Sequence, residues 1–299
     1  MSASDFLDYL KYERNYSEKT IINYGCDLRE FEEFAKKEGG EELDLRGVST
    51  ELVREWVVAL MEKGVATASV NRKLSTLRSF YKYLLKKEYV SVNPVHKITG
   101  PKKKKPLPAF LKESEIDQLL DEMDFGEGYS ALLDRLIIQM FYETGMRLSE
   151  LIELKESDVN LESQMIKVVG KRNKQRLIPF GEGLRDAISA YIEKRNKVVP
   201  EHSEMLFVRK NGKNLSAGIV YLLVKKHLSK VTTLKKRSPH VLRHTFATSM
   251  LNHQAELGSI KELLGHESLA TTEIYTHTTF EELKQVYNQA HPRAEETRR

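Results

Sequence analysis

Two short segments each place an arginine one helical turn from another polar side chain. The segment SPHVLRHTFATSML puts His240 three residues before Arg243, and ETGMRLSEL puts Arg147 three residues before Glu150. Residues three apart lie on one face of a helix, and a guanidinium offers a rigid fork of donors that matches two phosphate oxygens. Two arginines from distant segments could therefore clamp a phosphodiester as charge builds in a pentavalent transition state. A simple surface ion pair with Glu150 is the alternative for Arg147.

A tyrosine near the C-terminus could supply a nucleophile. The segment KELLGHESLATTEIYTH has His266 directly after a Leu-Leu-Gly helix stop and Tyr275 nine residues later. A phenol has a pKa near 10, so as a nucleophile it needs nearby cations and a proton acceptor. The two arginines and two histidines would provide both, and this company distinguishes Tyr275 among 13 tyrosines.

Other kinds of site fit these residues less well. His240 and His244 have the spacing of a helical zinc pair, but a cation stands between them and no glutamate base adjoins them. The segment GKRNKQR lacks the second glycine followed by Lys and Ser or Thr that a phosphate-binding loop requires. A two-metal nuclease needs clustered carboxylates, which are scarce here. We therefore expect no metal and no other cofactor.

Length and composition indicate a globular protein of about two domains. The chain has 299 residues, 40% of them hydrophobic and 30% charged, so disorder or a fibrous repeat is excluded for the whole chain. No apolar run approaches the roughly 18 residues of a membrane span, and the N-terminus lacks the features of a secretory signal. The single Cys26 excludes an internal disulfide. We expect a cytoplasmic protein that does not contact a membrane.

The net charge of +5 conceals two basic blocks. Residues 63–105 hold 12 lysines and arginines against one acidic residue, and residues 163–243 hold 19 against five, whereas residues 1–62 have a net charge of −7. Two such blocks in an otherwise balanced chain favour a polyanionic partner, with nucleic acid ahead of an anionic membrane.

A proline- and lysine-rich stretch divides the chain. ITGPKKKKPLP, at residues 98–108, cannot continue a helix. We therefore predict a helical DNA-binding domain at 1–98, a linker at 99–108 and a catalytic domain at 109–299.

The first domain has the periodicity of packed helices. Apolar residues recur at helical spacing from Thr20 to Lys37 and again over residues 67–88. The second of these helices is expected to display basic side chains that contact DNA phosphates, as is the linker. The predicted contacts are Arg72, Lys73, Arg78, Lys102, Lys103, Lys104 and Lys105.

The second domain is predicted to be mostly α-helical with small antiparallel hairpins. Helices are expected from Lys112 to Asp124, from Tyr129 to Tyr142 and from Ala217 onward. Between them, the β-prone runs 164–169 and 175–180 flank GKRNK, and residues 206–215 repeat the hairpin signal around Asn-Gly. The fold class is therefore mainly α with a small antiparallel sheet.

Taken together, the motifs resemble a known family. TGMRLSEL, GKRNKQR, HVLRHTFAT, LLGH and IYTH occur in this order, which is similar to the tyrosine recombinase (phage integrase) family, and AHPRA at residues 290–294 resembles its Xer branch, the XerC- and XerD-like members. The resemblance implies a SAM-like core-binding domain and a catalytic domain that form a C-shaped clamp on DNA. It implies catalytic roles for Arg147, Lys171, His240, Arg243, His266 and Tyr275, with support from Glu150. On chemistry alone Lys174 could replace Lys171 as the acid.

The resemblance also implies a reaction and an assembly. Tyr275 would displace a 5′ hydroxyl and form a 3′-phosphotyrosine, without metal or nucleotide. A homo- or heterotetramer on a specific site in double-stranded DNA would exchange strands through a Holliday junction. Residues 280–299 would pack on a neighbouring subunit, and an accessory protein could activate the second exchange. Two positions depart from the family pattern: Gln254 stands where a glycine is usual, and Ser249 where Xer members often carry histidine.

Three alternatives stay open at this point. Resolution of chromosome dimers is favoured over integration of a mobile element, which would use the same chemistry. A type IB topoisomerase would use the same residues without a partner site. A DNA-binding protein with an inactive site is the third alternative.

Overall fold

The computed structural model describes residues 3–40, 44–102, 109–170, 175–200, 203–265 and 280–294, with side chains from Leu283 onward in the last range. The chain divides into two compact units, Met1–Pro106 and Leu107–Arg299. Over the ranges that the structure describes, no helix is long and apolar enough to cross a membrane.

The described part of the first unit is helical. Its helices are α1 (Ala3–Asp8), α2 (Glu18–Gly39), α3 (Thr50–Glu62) and α4 (Thr67–Lys86). Serine side chains cap two of them: Ser17 accepts from the backbone N–H of Thr20, and Ser49 from that of Leu52. The core includes Trp56, whose ring packs edge-on against Phe31 with 4.9 Å between centroids. The two helices predicted from periodicity are confirmed as α2 and α4.

One expectation about α4 is wrong. Lys73 was expected on a displayed face, but its side chain lies between α4 and α2 and the residue is only 7% exposed. Its ammonium group pairs with Glu30 and lies 3.4 Å from Asp27, which also accepts from Arg72 and from Thr76. A buried carboxylate needs such partners because desolvation of an unpaired charge costs several kcal/mol. Lys73 therefore holds two helices together instead of presenting its charge outward.

The second unit combines helices with a small sheet. Its helices are α5 (Glu113–Asp117), α6 (Tyr129–Thr144), α7 (Leu148–Ile152), α8 (Glu182–Val198), α9 (Ala217–Val231), α10 (Pro239–Asn252), α11 (Leu257–Leu264) and α12 (Phe280–Ala290). The predicted helix from Lys112 is α5 followed by a π-helical turn, Gln118–Glu122. Helix α6 lies at the centre and packs on α8 and α10.

The sheet has three antiparallel strands in the order β1 (Val159–Asn160), β2 (Met165–Val169) and β3 (Gln175–Pro179). The hairpin predicted around GKRNK is confirmed, with Val169 opposite Gln175 at its end. The second predicted hairpin forms only one bridge, between Val208 and Asn214, around a turn at Gly212 with φ 77°. Its flanking residues continue into the core as irregular chain, so strands were the wrong expectation there.

Helix α12 packs on the unit to which it belongs. Leu283, Tyr287 and Ala290 are buried against Phe246 on α10 and Ile260 on α11. The ring of His291 stacks on that of Tyr287, with 4.9 Å between centroids. The segment was expected to pack on a neighbouring subunit; in this single chain its described part, residues 280–294, packs in cis. Its inter-subunit role stays a prediction.

Gln254, one of the two departures from the family pattern, lies where the backbone favours glycine. Gln254 follows α10 and has φ 65°, the left-handed conformation that residues with a side chain adopt at a cost. A glycine would adopt this conformation without strain, and α10 ends at Asn252, before this position.

Candidate active site

A left-handed glycine turns the chain at the start of the site. Helix α6 ends at Thr144, and Gly145 follows with φ 59°. A Cβ at this position would lie 2.5 Å from the ring of Phe246 and 2.8 Å from Leu264. Because only glycine combines this φ with so close an approach, the chain reverses tightly here and presents Arg147 at the N-terminal end of α7.

Arg147 and Glu150 form more than a surface pair. The Arg147 backbone N–H and Nη1 each donate to one Glu150 oxygen at 2.8 Å, and Nη2 donates to the Gly265 carbonyl at 2.7 Å. The Arg147 side chain is 27% exposed, whereas that of Glu150 is 2% exposed. The guanidinium is therefore fixed from two sides, with part of it open to a ligand.

Arg243 approaches from α10, which begins with Pro239 at its first position, a placement suited to the fixed φ of proline. Nη1 donates to the Gly145 carbonyl, and Nη2 donates to the Leu264 carbonyl at 2.8 Å. Burial, followed by the charges of Arg147 and Arg176, lowers the pKa of Arg243 to about 10. The group thus stays cationic at neutral pH in a region already rich in positive charge.

A third arginine, Arg176 on β3, completes the cluster and was missed by the sequence reasoning. Its Nη1 and Nη2 donate to the two Glu150 oxygens at 2.9 and 2.8 Å, and Nε donates to the Leu263 carbonyl at 2.7 Å. Burial by itself would raise the pKa of Glu150, but the bonds and charge of Arg176, with those of Arg147, lower it to about 2. The Glu150 carboxylate is therefore ionised and shared by two guanidinium groups.

The C-terminal end of α11 lies among the three arginines. The carbonyls of Leu263, Leu264 and Gly265 are bound by Arg176, Arg243 and Arg147 in turn. The last carbonyls of a helix lack partners within the helix and carry partial negative charge. These carbonyls therefore accept hydrogen bonds from the three guanidinium groups and reduce the repulsion between their positive charges.

His240 lies one turn before Arg243 on α10 and is exposed. Partial burial lowers its pKa, and the charges of Lys236, Arg243, His244 and Arg147 lower it further. Because Arg243 and Arg147 are among these charges, His240 and the arginine cluster share one electrostatic field. An exposed neutral imidazole beside two guanidinium groups can hydrogen-bond a phosphate oxygen.

Family profiles match both units. The profile of the phage integrase family matches residues 109–282, and that of the phage integrase N-terminal SAM-like domain matches residues 3–88. The chain belongs to the phage integrase family. The resemblance to tyrosine recombinases and the mainly α fold are thereby confirmed.

Relatives in this family cover nearly the whole chain. A protein named Tyrosine recombinase XerC from Halalkalibacterium halodurans is 40% identical over 298 residues, which are 98% of this chain and 97% of the relative. Another from Chlorobaculum parvum is 38% identical over 314 residues, covering 97% and 94%. The Xer branch of the integrase family is therefore supported along the full length.

Solved structures share the fold. XerH site-specific recombinase bound to palindromic difH substrate, in a post-cleavage complex, aligns with a TM-score of 0.70 at 24% identity, covering 96% of this chain and 84% of that one. The Tn1549 transposon integrase in complex with transposon right end DNA aligns with a TM-score of 0.71 at 21% identity, covering 95% and 98%. Both likenesses establish the architecture of the integrase family for this chain.

The structure brings together four of the predicted site residues, Arg147, Glu150, His240 and Arg243, and adds Arg176. The other three, Lys171, His266 and Tyr275, lie outside the described residues. Lys171 follows Gly170 in the hairpin connection between β2 and β3, and His266 follows Gly265 directly in sequence. Their roles in an integrase active site stay predictions.

Among the predicted DNA contacts of the first unit, Arg72 and Lys102 are exposed and Arg78 is partly exposed. Arg72 keeps one nitrogen on Asp27, which leaves its remaining donors for a ligand. Lys103, Lys104 and Lys105 lie outside the described residues. Where the structure describes the chain, no group of three His, Cys, Asp or Glu side chains is arranged to hold a metal ion.

Proposed function

We propose that this chain is a site-specific DNA strand transferase, a tyrosine recombinase of the Xer type. The observation that carries the proposal is the convergence of Arg147 and Arg243 beside His240, fixed by buried bonds to neighbouring carbonyls. Fixed donors stabilise developing negative charge without reorganising during the reaction. A phosphodiester suits this site because its non-bridging oxygens match two guanidinium forks.

The reaction is a transesterification at phosphorus. The Tyr275 phenol gives its proton to a histidine of the site as its oxygen forms a bond to phosphorus; the bond to the 5′ oxygen breaks, and Lys171 gives that oxygen a proton. The product is a 3′-phosphotyrosine and a free 5′ hydroxyl. The 5′ hydroxyl of a partner strand then attacks the phosphotyrosine, which restores a phosphodiester and frees Tyr275. His266 completes the pocket around the same phosphate.

The assembly follows from the reaction. Exchange between two duplexes requires four protomers on two sites and passes through a Holliday junction. The full-length similarity to proteins named XerC favours the resolution of chromosome dimers as the cellular role, in the cytoplasm where the chromosome lies. A second recombinase and an accessory activator are partners consistent with this role. The domain limits are 1–98 for DNA binding, 99–108 for the linker and 109–299 for catalysis.

The test starts from fragments of the source genome. The protein is incubated with nicked duplex fragments, in which loss of a short strand traps the covalent intermediate. Adducts are captured under denaturing conditions and sequenced. We expect one recurrent site near a single chromosomal locus; recovery of the ends of a mobile element would assign integration instead. Absence of adducts on every fragment would overturn the enzymatic proposal.

A plasmid assay separates recombination from relaxation. Supercoiled plasmids with and without two copies of the recovered site are compared. A recombinase yields site-dependent products, whereas a type IB topoisomerase relaxes any plasmid. The variant Tyr275→Phe is expected to lose both adduct and product. Tyr221→Phe, which changes an exposed tyrosine on α9 that is 43% exposed, serves as the matched control and is expected to retain them.

A further inference from the structure

The hydrogen-bond donors of Arg176 bind groups inside the protein. The Nε–H is bound to the Leu263 carbonyl, and one hydrogen of each terminal nitrogen is bound to Glu150. The Arg176 side chain is 12% exposed, less than half the value for Arg147. A guanidinium with five donors can bind a carboxylate and a carbonyl together while keeping one planar orientation. The Arg176 guanidinium is therefore placed to fix the positions of Glu150 and the Leu263 carbonyl.

The residues held by Arg176 belong to different elements. Glu150 lies on α7, Leu263 lies on α11, and Arg176 itself is on β3, opposite Val168 of β2. Glu150 in turn binds the backbone and side chain of Arg147. Through the shared Glu150 carboxylate, Arg176 therefore connects the sheet to Arg147, which is proposed to bind the phosphate.

The end of α11 is packed directly on Arg176. Gly265 closes this helix with φ 61°, and a Cβ there would lie 3.2 Å from both Cδ and Nη1 of Arg176. The carbonyls of Leu264 and Gly265 are the ones that Arg243 and Arg147 bind. A shift of this helix end would move the acceptors of both arginines that are proposed to bind the phosphate.

We propose that Arg176 is a positioning residue that locks Glu150 and the C-terminal end of α11 into one frame, so that Arg147 and Arg243 meet the scissile phosphate in a fixed geometry. The inference rests on the proposed strand transfer at this site. Arg176 acts through Glu150 and the helix end and does not touch the substrate. A displacement of about 1 Å in such a frame costs on the order of 100-fold in rate.

The test compares cleavage with DNA affinity on the recovered site. Arg176→Met and Arg176→Lys are assayed with wild type for single-turnover adduct formation at saturating protein, and for equilibrium binding to the intact duplex. We expect Arg176→Met to lower the cleavage rate about 100-fold and to leave affinity within about threefold. Lysine, a point charge without a planar fork, is expected to restore part of the rate.

Arg185→Gln, which removes a partly exposed arginine on α8, is the matched control and is expected to cleave like wild type. Wild-type cleavage by Arg176→Met would overturn the positioning role while the proposed function stands; failure of wild type itself to form adducts would overturn the function. If Arg176→Met is unfolded by circular dichroism, Arg176→Lys decides: an equal loss of rate and affinity in that folded variant overturns the proposal.

Discussion

At the scale of single residues, the site is built from cations whose charges are offset by neighbouring groups. Arg243 is only 7% exposed, and its guanidinium is bound to two carbonyls. The nearby Glu150 carboxylate carries the compensating charge. Because each group depends on the other, removal of one charge changes the ionisation or the stability of its neighbours.

His240 is expected to be neutral at pH 7 in the DNA-free protein. Burial and the positive charges around it depress its pKa below 6.5. Side-chain nuclear magnetic resonance titration should therefore show a midpoint below that value. Lys236→Gln should raise the midpoint, because Lys236 contributes the largest charge effect, and Lys235→Gln serves as the control. A His240 midpoint at or above 6.5 in wild type would contradict this electrostatic description.

Glu150 is expected to make the catalytic unit sensitive to acid. Its pKa falls from 4.5 to about 2 on folding, so the ionised form contributes about 3 kcal/mol of stability above pH 4.5. This contribution is lost as the pH decreases from about 4.5 to about 2. Urea unfolding over this range should show a weaker pH dependence for Glu150→Gln than for wild type. Parallel curves would show that the carboxylate is not stabilised as described.

At the scale of elements, patterns among residues close in sequence predict the secondary structure well. Pairings between residues distant in sequence are not predicted. The apolar period of residues 67–88 predicts α4 within two residues of its end at Lys86. β1 has two residues, too few to carry a pattern. Residues 206–215 have a strand-like composition, yet they form a single isolated bridge, between Val208 and Asn214. The Leu206 N–H instead donates to the carbonyl of Leu154, two residues after the end of α7.

The site shows the same limit. The i, i+3 spacing predicts that Arg147 and Glu150 meet, and they do, with Arg147 directly before α7 and Glu150 in its first turn. In the sequence, Arg176 is one more charge in the basic block 163–243. The alternation along β3 could have indicated that Arg176 points inward, because it shares a face of the strand with the buried Ile178 two residues later. The carbonyls at the end of α11 are close to Arg176 only in the folded chain, so no sequence pattern identifies them.

The docking of the C-terminal segment can be tested with one methyl group. A Cβ on Gly181 would lie 2.5 Å from the Arg293 carbonyl oxygen and 2.7 Å from that of Ala294. Gly181 has φ −83°, which alanine adopts freely. Gly181→Ala should therefore displace residues 290–294 and speed amide hydrogen exchange in α12, while the rest of the unit keeps its protection.

A matched glycine provides the control for that experiment. A Cβ on Gly218, in the first turn of α9, meets no heavy atom within 4 Å. Gly218→Ala should leave exchange in α12 unchanged and stabilise slightly, by about 0.4–1 kcal/mol. Unchanged exchange in α12 of Gly181→Ala would contradict packing of the segment in cis.

At the scale of the whole molecule, charge is distributed unevenly along the chain. The acidic stretch 1–62 precedes the basic block 63–105, which ends in four consecutive lysines. Exposed lysines that bind phosphates release counterions, so their contribution to affinity depends on salt.

Replacement of the four lysines at 102–105 by glutamine is expected to weaken DNA binding most at low salt. A plot of log affinity against log salt concentration should lose about 0.9 of slope for each lysine that contacts a phosphate. Glutamine at Lys36 and Lys37, which lie at the end of α2 in the acidic stretch, is the control and should leave the slope unchanged. An unaltered slope in the 102–105 variant would remove these lysines from the DNA interface.

The most direct test of the account is to identify the residue that becomes joined to DNA. Adducts trapped on the nicked cognate duplex are digested with nuclease and protease, and the modified peptide is sequenced by mass spectrometry. We expect a nucleotide attached through its 3′ phosphate to Tyr275. Attachment at any other side chain, or to a 5′ phosphate, would contradict it.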